Sequence, residues 1–382
     1  MSRIPPGSAI IKKECHSESR PVLKLGYRQE LDGLRGISIL LIYLHHLYYP
    51  LLPGGFFGVD VFFVLSGFLI TSLLMEEWSR EGSISLKNFY IRRVLRLMPA
   101  LLFLILVTGG FALIFLDKRR SIATYQGIWL TLSYASNWFY AFGHFSADNP
   151  LGITWSLAIE EQFYLTWPIL LILALRIKLG RRWIIYVLAF AVMIIPLHRR
   201  LLIEQGANIF RLYYSSDTRA DTLLVGCLAG LLFSWNLLPH NKRIGIYMKS
   251  LAVVAAIFLG YMIGTASWMD VMLYQRGGYS LVALSVAFIL IVQIAWPSKA
   301  ALLFLRFPPL VWIGRISYGL YLWHWPVRWF IYQKKALPDS VPQLVTAVVL
   351  SILLTSISYY FVEKPFLRWK KLFSPAKSRS LG

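Results

Sequence analysis

Within residues 28–68, RQELDGLRGISILLIYLHHLYYPLLPGGFFGVDVFFVLSGF, an arginine opens an apolar helical run and two histidines close it. Eleven residues of an ideal α-helix turn through about 1100°, which is three turns plus roughly 20°. Arg35 and His46 therefore share one face, about 16 Å apart at 1.5 Å per residue, while His45 is rotated by about 100°. An uncharged imidazole beside a carboxylate can act as a general base, because its reference pKa of about 6.5 lies near operating pH. The glycine-loosened turn GGFFGVD (54–60) delivers Asp60 to the mouth of the next apolar helix. There it can orient His46 or cap the helix, and the two roles are compatible. Ser66 and Gly67 follow within VFFVLSGF (61–68). Small residues at that depth serve close helix packing, so Ser66 is assigned to packing and not to nucleophilic attack.

A second chemistry-bearing stretch is NFYIRRVLRLMP (88–99). Arg92 and Arg93 each pair by helical spacing with Arg96, and a guanidinium fork matches phosphate oxygens bidentately. The bland alternative is a positive flank to an apolar span or a contact with anionic lipid. Arg35 is expected at a similar depth on the same side. Several arginines around one opening suit a phosphorylated donor molecule.

In TWSLAIEEQFYLTWP (154–168), Glu160 and Tyr164 are four apart and face together, on the side of Ser156 and Phe163. A carboxylate inside a span needs a partner, and an arginine from another helix is the structural alternative to catalysis. In WIGRISYGLYLWHWPV (312–327), Tyr321 and His324 are three apart. His324 is expected near the depth of His46 and Asp60, unless it is only part of an aromatic belt. YSSDTRADTLLVG (214–226) brings Asp217, Arg219 and Asp221 to another helix end. Capping explains one of these acids better than it explains all three charges. No metal signature, phosphate loop of Walker type, nucleophile elbow or dinucleotide fingerprint is present.

These residues need a scaffold, and composition names its class. The 382 residues are 57% hydrophobic and 15% charged, with a mean hydropathy of +0.58. Soluble proteins carry about 25% charged residues. Apolar runs near 20 residues recur, as in an all-α polytopic membrane protein. Ten spans fit, at 36–52, 61–76, 97–116, 155–176, 183–200, 219–236, 248–266, 279–297, 311–331 and 343–362. The formal charge of +21 comes from Lys and Arg that flank these runs. That pattern follows the positive-inside rule and argues for membrane lipids, not nucleic acid, as the charged neighbour. It puts both termini on the cytoplasmic side of an inner membrane.

Residues 1–27 read as a loose basic tail without a signal-peptide core, and 368–382 as a second basic tail. Cys15 in the first tail and Cys227 inside a span are unsuited to pairing. The segment 121–142 is apolar enough to span, but a full span there would put RIKLGRR (176–182) outside. It is expected to be re-entrant or interfacial.

LDGLRGISILLIYLHH, GVDVFFVLSGFLI, YIRRVLRLMP, WSLAIEEQFY, ISYGLYLWHWP and YYFVEKPF together resemble acyltransferase family 3. These are bacterial membrane O-acyltransferases that modify cell-surface glycans and related acceptors. The resemblance runs from about residue 27 to 367 and makes 28–367 one transmembrane acyltransferase domain. It implies a ten-helix fold with acyl-CoA, commonly acetyl-CoA, as a cytoplasmic co-substrate, no metal, and a carbohydrate or related hydroxyl acceptor across the membrane. It implies functional roles for Arg35 and His46, donor binding by Arg93 and Arg96, and roles for the acids Asp60 and Glu160. Combined with the residue pattern, the expected catalytic group is His46, Asp60 and Glu160. The expected donor site is Arg35, Arg92, Arg93 and Arg96, with Tyr164, Tyr321 and His324 at the acceptor. The doubled His45 and His46 leave the choice between them to spacing from Arg35. The soluble domain fused to some relatives is expected to be absent, so a separate periplasmic partner is one expectation. The competing class is a flippase or proton-coupled carrier in which buried His and Asp relay protons, although no matched pair of interrupted helices marks two inverted halves.

Overall fold

The computed structural model describes residues 23–144, 149–239, 241–332, 335 and 337–373. Cys15 and most of both basic tails lie outside the described residues. The described secondary structure is entirely helical. In chain order the helices are α1 (Gln29–Leu47), α2 (Gly58–Glu81), α3 (Leu86–Phe115), α4 (Lys118–Leu132), α5 (Ser136–Ala141) and α6 (Trp155–Arg176). There follow α7 (Arg181–Glu204), α8 (Ile209–Tyr214), α9 (Ser216–Ser234), α10 (Lys242–Thr265), α11 (Val271–Gln275) and α12 (Gly278–Ala295). The last are α13 (Lys299–Leu305), α14 (Pro308–Arg315), α15 (Ser317–Ile331), α16 (Val341–Ile357) and α17 (Lys364–Trp369).

Among the described residues, 7 helical stretches are long and apolar enough to cross a membrane, those built on α2, α3, α6, α7, α10, α12 and α16. The other three expected spans are also helical, but they are shorter or more polar. α1 and α9 have 19 residues each and carry Glu30, Asp32 and Arg35, or Asp217, Arg219 and Asp221. The span expected at 311–331 is broken at Ile316 between α14 and α15. These three segments supply many of the polar groups of the interior. Residues 121–142 form no single rod, because α4 ends near Tyr134, whose φ is 50°, and the 6-residue α5 follows.

The position of α2 decides what the site can be. It is the most enclosed of the long helices, whereas α10 faces outward along its apolar length. A methyl group added at Gly67 would overlap the Leu223 carbonyl of α9, and one at Gly226 would overlap the Val64 carbonyl of α2. The two glycines thus let the backbones touch, as small residues do at membrane helix interfaces. α16 closes in a π-helical turn, Ser358–Glu363, which turns Glu363 into the interior, 4% exposed. Its Oε1 accepts from Ser358 Oγ at 3.2 Å.

Candidate active site

Three cavities run in series through the bundle. The first is about 320 Å³ and is lined by Tyr27, Arg28, Asp32, Arg315, Tyr359 and Glu363. It shares Arg35, Leu69, Arg96 and Tyr318 with a middle cavity of about 180 Å³. The middle cavity shares Val59 and Tyr321 with an outer one of about 720 Å³, which His46 lines.

The middle cavity gathers residues from five helices. Arg35 of α1 is fixed by donating from Nε and Nη2 to Ser317 Oγ at the start of α15, at 3.3 and 3.0 Å. Arg93 and Arg96 reach it from α3, and Glu160 and Tyr164 from α6. The Arg93 guanidinium lies 5.0 Å above the Tyr164 ring, a cation–π distance. Ser66 of α2 donates to Glu160 Oε1 at 2.7 Å and accepts from Tyr164 OH at 3.1 Å. Ser66 therefore lines the cavity and satisfies a half-buried acid, which corrects its assignment to packing. Gly67, its neighbour, does the packing. The other wall is apolar, with Val59, Phe62, Leu65 and Leu69.

Arg92 departs from the expected donor site. Its Nη2 donates to Glu77 Oε2 at 2.9 Å and its Nη1 to the Phe373 carbonyl at 2.7 Å, and it lines none of the three cavities. Adjacent helical residues point about 100° apart. Arg93 takes the inward direction, and Arg92 ties α3 to α2.

At the outer end, His46 Nδ1 lies 2.9 Å from His324 Nε2, with the two rings nearly coplanar, inclined by 15° and 5.1 Å apart between centroids. His324 Nδ1 lies 2.9 Å from the Leu320 carbonyl. The partners assign the tautomers. A carbonyl can only accept, so the His324 proton sits on Nδ1 and its Nε2 accepts; His46 must then donate from Nδ1, which leaves a lone pair on its Nε2. His45 is occupied elsewhere, with Nδ1 2.9 Å from the Leu52 carbonyl.

Asp60 is not the group that orients His46. Its Oδ1 accepts from Arg219 Nη2 at 2.8 Å and from Thr222 Oγ1 at 3.4 Å, with both charged side chains at most 1% exposed. The close approach of α2 and α9 brings Arg219 against Asp60, so Asp60 faces α9 instead of α1. Asp221 pairs with Arg199 of α7 at 2.6 Å, and Asp217 with Arg211 and His198. Each of the three charges of 217–221 thus has its own ion-pair partner or partners, and capping is not their main employment.

Tyr321 stands where the middle and outer cavities meet. Its hydroxyl donates to the Ile153 carbonyl at 3.1 Å and is hydrogen-bonded to Ser156 Oγ. Trp155, Tyr213, Trp268 and Trp325 complete the outer wall with Arg328. Sequence reasoning passed over Arg328, although an ionisable residue within an expected span was itself the signal. No group of His, Cys, Asp or Glu among the described residues is arranged to hold a metal ion.

The fold defines a multi-pass helical membrane protein whose interior holds three cavities with shared lining residues. The model of the acyltransferase domain that defines acyltransferase family 3 matches residues 28–362, and the chain belongs to that family. Relatives include the O-acetyltransferase OatA of Staphylococcus aureus, 38% identical over 365 residues, which cover 89% of this chain and 57% of the relative. Another, from Bacillus subtilis, is named provisionally as the peptidoglycan O-acetyltransferase YrhL. It is 34% identical over 350 residues, covering 89% of this chain and 55% of the relative. The chain spans a little over half the length of these two relatives. No solved structure matches it at a significant level.

Proposed function

We propose that the chain is a membrane O-acyltransferase that carries an acyl group, acetyl by analogy with its relatives, from cytoplasmic acyl-CoA to a carbohydrate hydroxyl on the far side of the inner membrane. The observation that carries this reading is the series of cavities joining Arg35, Arg93 and Arg96 to His46 through a shared wall at Tyr321. Arginines at one end suit phosphate oxygens. A neutral imidazole at the other suits proton abstraction from a hydroxyl.

In this reading the donor's phosphates rest against Arg93, Arg96 and Arg35, and its pantetheine arm runs past Ser66, Glu160 and Tyr164, whose polar atoms face the amides of the arm. The thioester passes Tyr321. His46 Nε2 takes the proton of the acceptor hydroxyl as its oxygen attacks the thioester carbonyl. The carbon–sulfur bond breaks, and the imidazolium returns the proton to the departing thiolate. His324 keeps Nδ1 of His46 occupied throughout. Glu160 acts on the donor side, apart from the base.

The test is release of free thiol from acetyl-CoA by the purified chain in the presence of a glycan acceptor, with the product followed by mass. A flippase or proton-coupled carrier would release no CoA, and that outcome would overturn the proposal.

A further inference from the structure

Among the described residues, the middle and outer cavities have two lining residues in common, Val59 and Tyr321. Both are buried, at 5% and 7% exposure, which leaves little open space around either side chain where the cavities meet. On either side of this neck there is more room, about 180 Å³ towards the arginines and about 720 Å³ towards His46.

Neither side of the neck can yield easily. Val59 sits in the first turn of α2, and that turn is seated on α1. A methyl group added at the neighbouring Gly58 would overlap the Ser38 carbonyl of α1. Branching at Cβ leaves valine one strongly preferred rotamer in a helix, so its methyl groups do not swing aside. The Tyr321 hydroxyl donates to the Ile153 carbonyl at 3.1 Å and is hydrogen-bonded to Ser156 Oγ. Turning the ring away would break both bonds, which is costly for buried groups. Inward from Val59, the lined face of α2 continues through Phe62, Ser66, Leu69 and Leu73, at the three- and four-residue steps of one helix face.

A donor whose phosphates rest on Arg93, Arg96 and Arg35 carries its acyl group at the opposite end. The acyl group is therefore the leading part, and it must come level with the neck to meet the base. Resting on the acyltransferase reading above, we propose that Val59, set against Tyr321, selects the acyl group by its breadth. A group that is narrow at the carbon next to the carbonyl enters, and one that is branched there is refused. Extra methyl groups forced into a close-packed gap are paid for in displaced neighbours, and both neighbours here are fixed. Length is treated differently, because a straight chain runs on into the outer cavity. The donor class is thus an unbranched acyl thioester, with acetyl the easiest fit.

The experiment supplies the reconstituted full chain with N-acetylglucosamine as acceptor and, in turn, acetyl-CoA, butyryl-CoA and isobutyryl-CoA. The last two are isomers that differ in branching next to the carbonyl. The readouts are acceptor-stimulated thiol release and the mass of the acylated sugar. Ratios between donors are taken within one preparation, so they do not depend on the fraction of protein that is folded. One methyl group of misfit in an apolar site is worth about 10–200-fold, so kcat/KM for isobutyryl-CoA should lie at least about tenfold below that for butyryl-CoA. Val59→Ala should raise the relative use of isobutyryl-CoA by about tenfold, and Val59→Ile should lower that of butyryl-CoA against acetyl-CoA. Leu73→Ala, about 21 Å along the same helix at 1.5 Å per residue, should keep the parental ratios. Equal use of the two isomers by the unaltered protein overturns the proposal while leaving the transferase reading intact. So does a Val59→Ala variant with the parental ratio, or a Leu73→Ala variant with the same gain. Failure to release thiol from any of the three donors overturns both.

Discussion

His46 and His324 are 278 residues apart in sequence and meet through ring nitrogens 2.9 Å apart. Because His324 is itself bound to the Leu320 carbonyl at 2.9 Å, the pair has a direction. His324 accepts, His46 donates from Nδ1, and the basic lone pair of His46 is left on Nε2. In the proposed mechanism that arrangement makes His324 a positioning residue. Its loss should be felt in kcat more than in the KM for acetyl-CoA. Groups that orient a functional imidazole at metal sites are worth about 10–100-fold, and a loss of that order is expected for His324→Ala. His324→Gln, whose amide oxygen can still accept from His46, should recover part of the rate. Steady-state kinetics of both variants decide the matter, and an alanine variant within twofold of the parent would remove His324 from the mechanism.

His46→Ala should cost about 10²–10⁴-fold in kcat, the usual contribution of one acid–base group. The KM for acetyl-CoA should move little, since the arginines lie in the neighbouring cavities. Retention of half the rate by a well-folded variant would rule out His46 as the base.

The arginines of α3 should separate into two behaviours. Arg93→Ala and Arg96→Ala remove lining of the middle cavity and should raise the KM for acetyl-CoA, the sign of lost ground-state binding. Arg92→Ala should leave that KM unchanged. It strips a partner from Glu77, 3% exposed, and should destabilise by about 1–3 kcal/mol as a buried acceptor loses its donor. Thermal midpoints in detergent alongside donor titrations test the division. A raised KM in Arg92→Ala would return this residue to the donor site.

Asp60 should prove structural. Asp60→Ala leaves Arg219 buried at 1% exposure without its carboxylate, and breaking such a pair costs about 3–5 kcal/mol. A large fall in the thermal midpoint is expected, with the surviving folded protein keeping most of its turnover. Normal stability with abolished turnover would give Asp60 back its place beside the base.

The contact between α2 and α9 can be tested on its own. Gly67→Ala puts a methyl group against the Leu223 carbonyl, a backbone atom that cannot rotate away, and overpacking of this kind costs about 1–3 kcal/mol. Ser66→Ala, one position earlier, should fold well. It frees Glu160 Oε1 of its 2.7 Å hydrogen bond, so its effect should appear in acetyl-CoA kinetics. The opposite pattern, with the glycine variant stable and the serine variant unfolded, would refute the division between packing and lining.

Local periodicity was enough to put Arg35 and His46 on one face of α1, to pair Glu160 with Tyr164, and to bring Arg93 and Arg96 to one opening. Such relations depend only on the 3.6-residue turn and lie within a single helix. Composition and the apolar runs were likewise enough for a helical membrane protein. Partners across helices were a different matter. Asp60 pairs with Arg219 and not with His46, His46 pairs with His324, Ser66 serves Glu160, and Arg92 turns to Glu77. Each of these depends on which helices touch and at what rotation. That is settled by steric fit between distant segments, such as the reciprocal glycines of α2 and α9, and a helix's own periodicity carries no information about the neighbour it will meet.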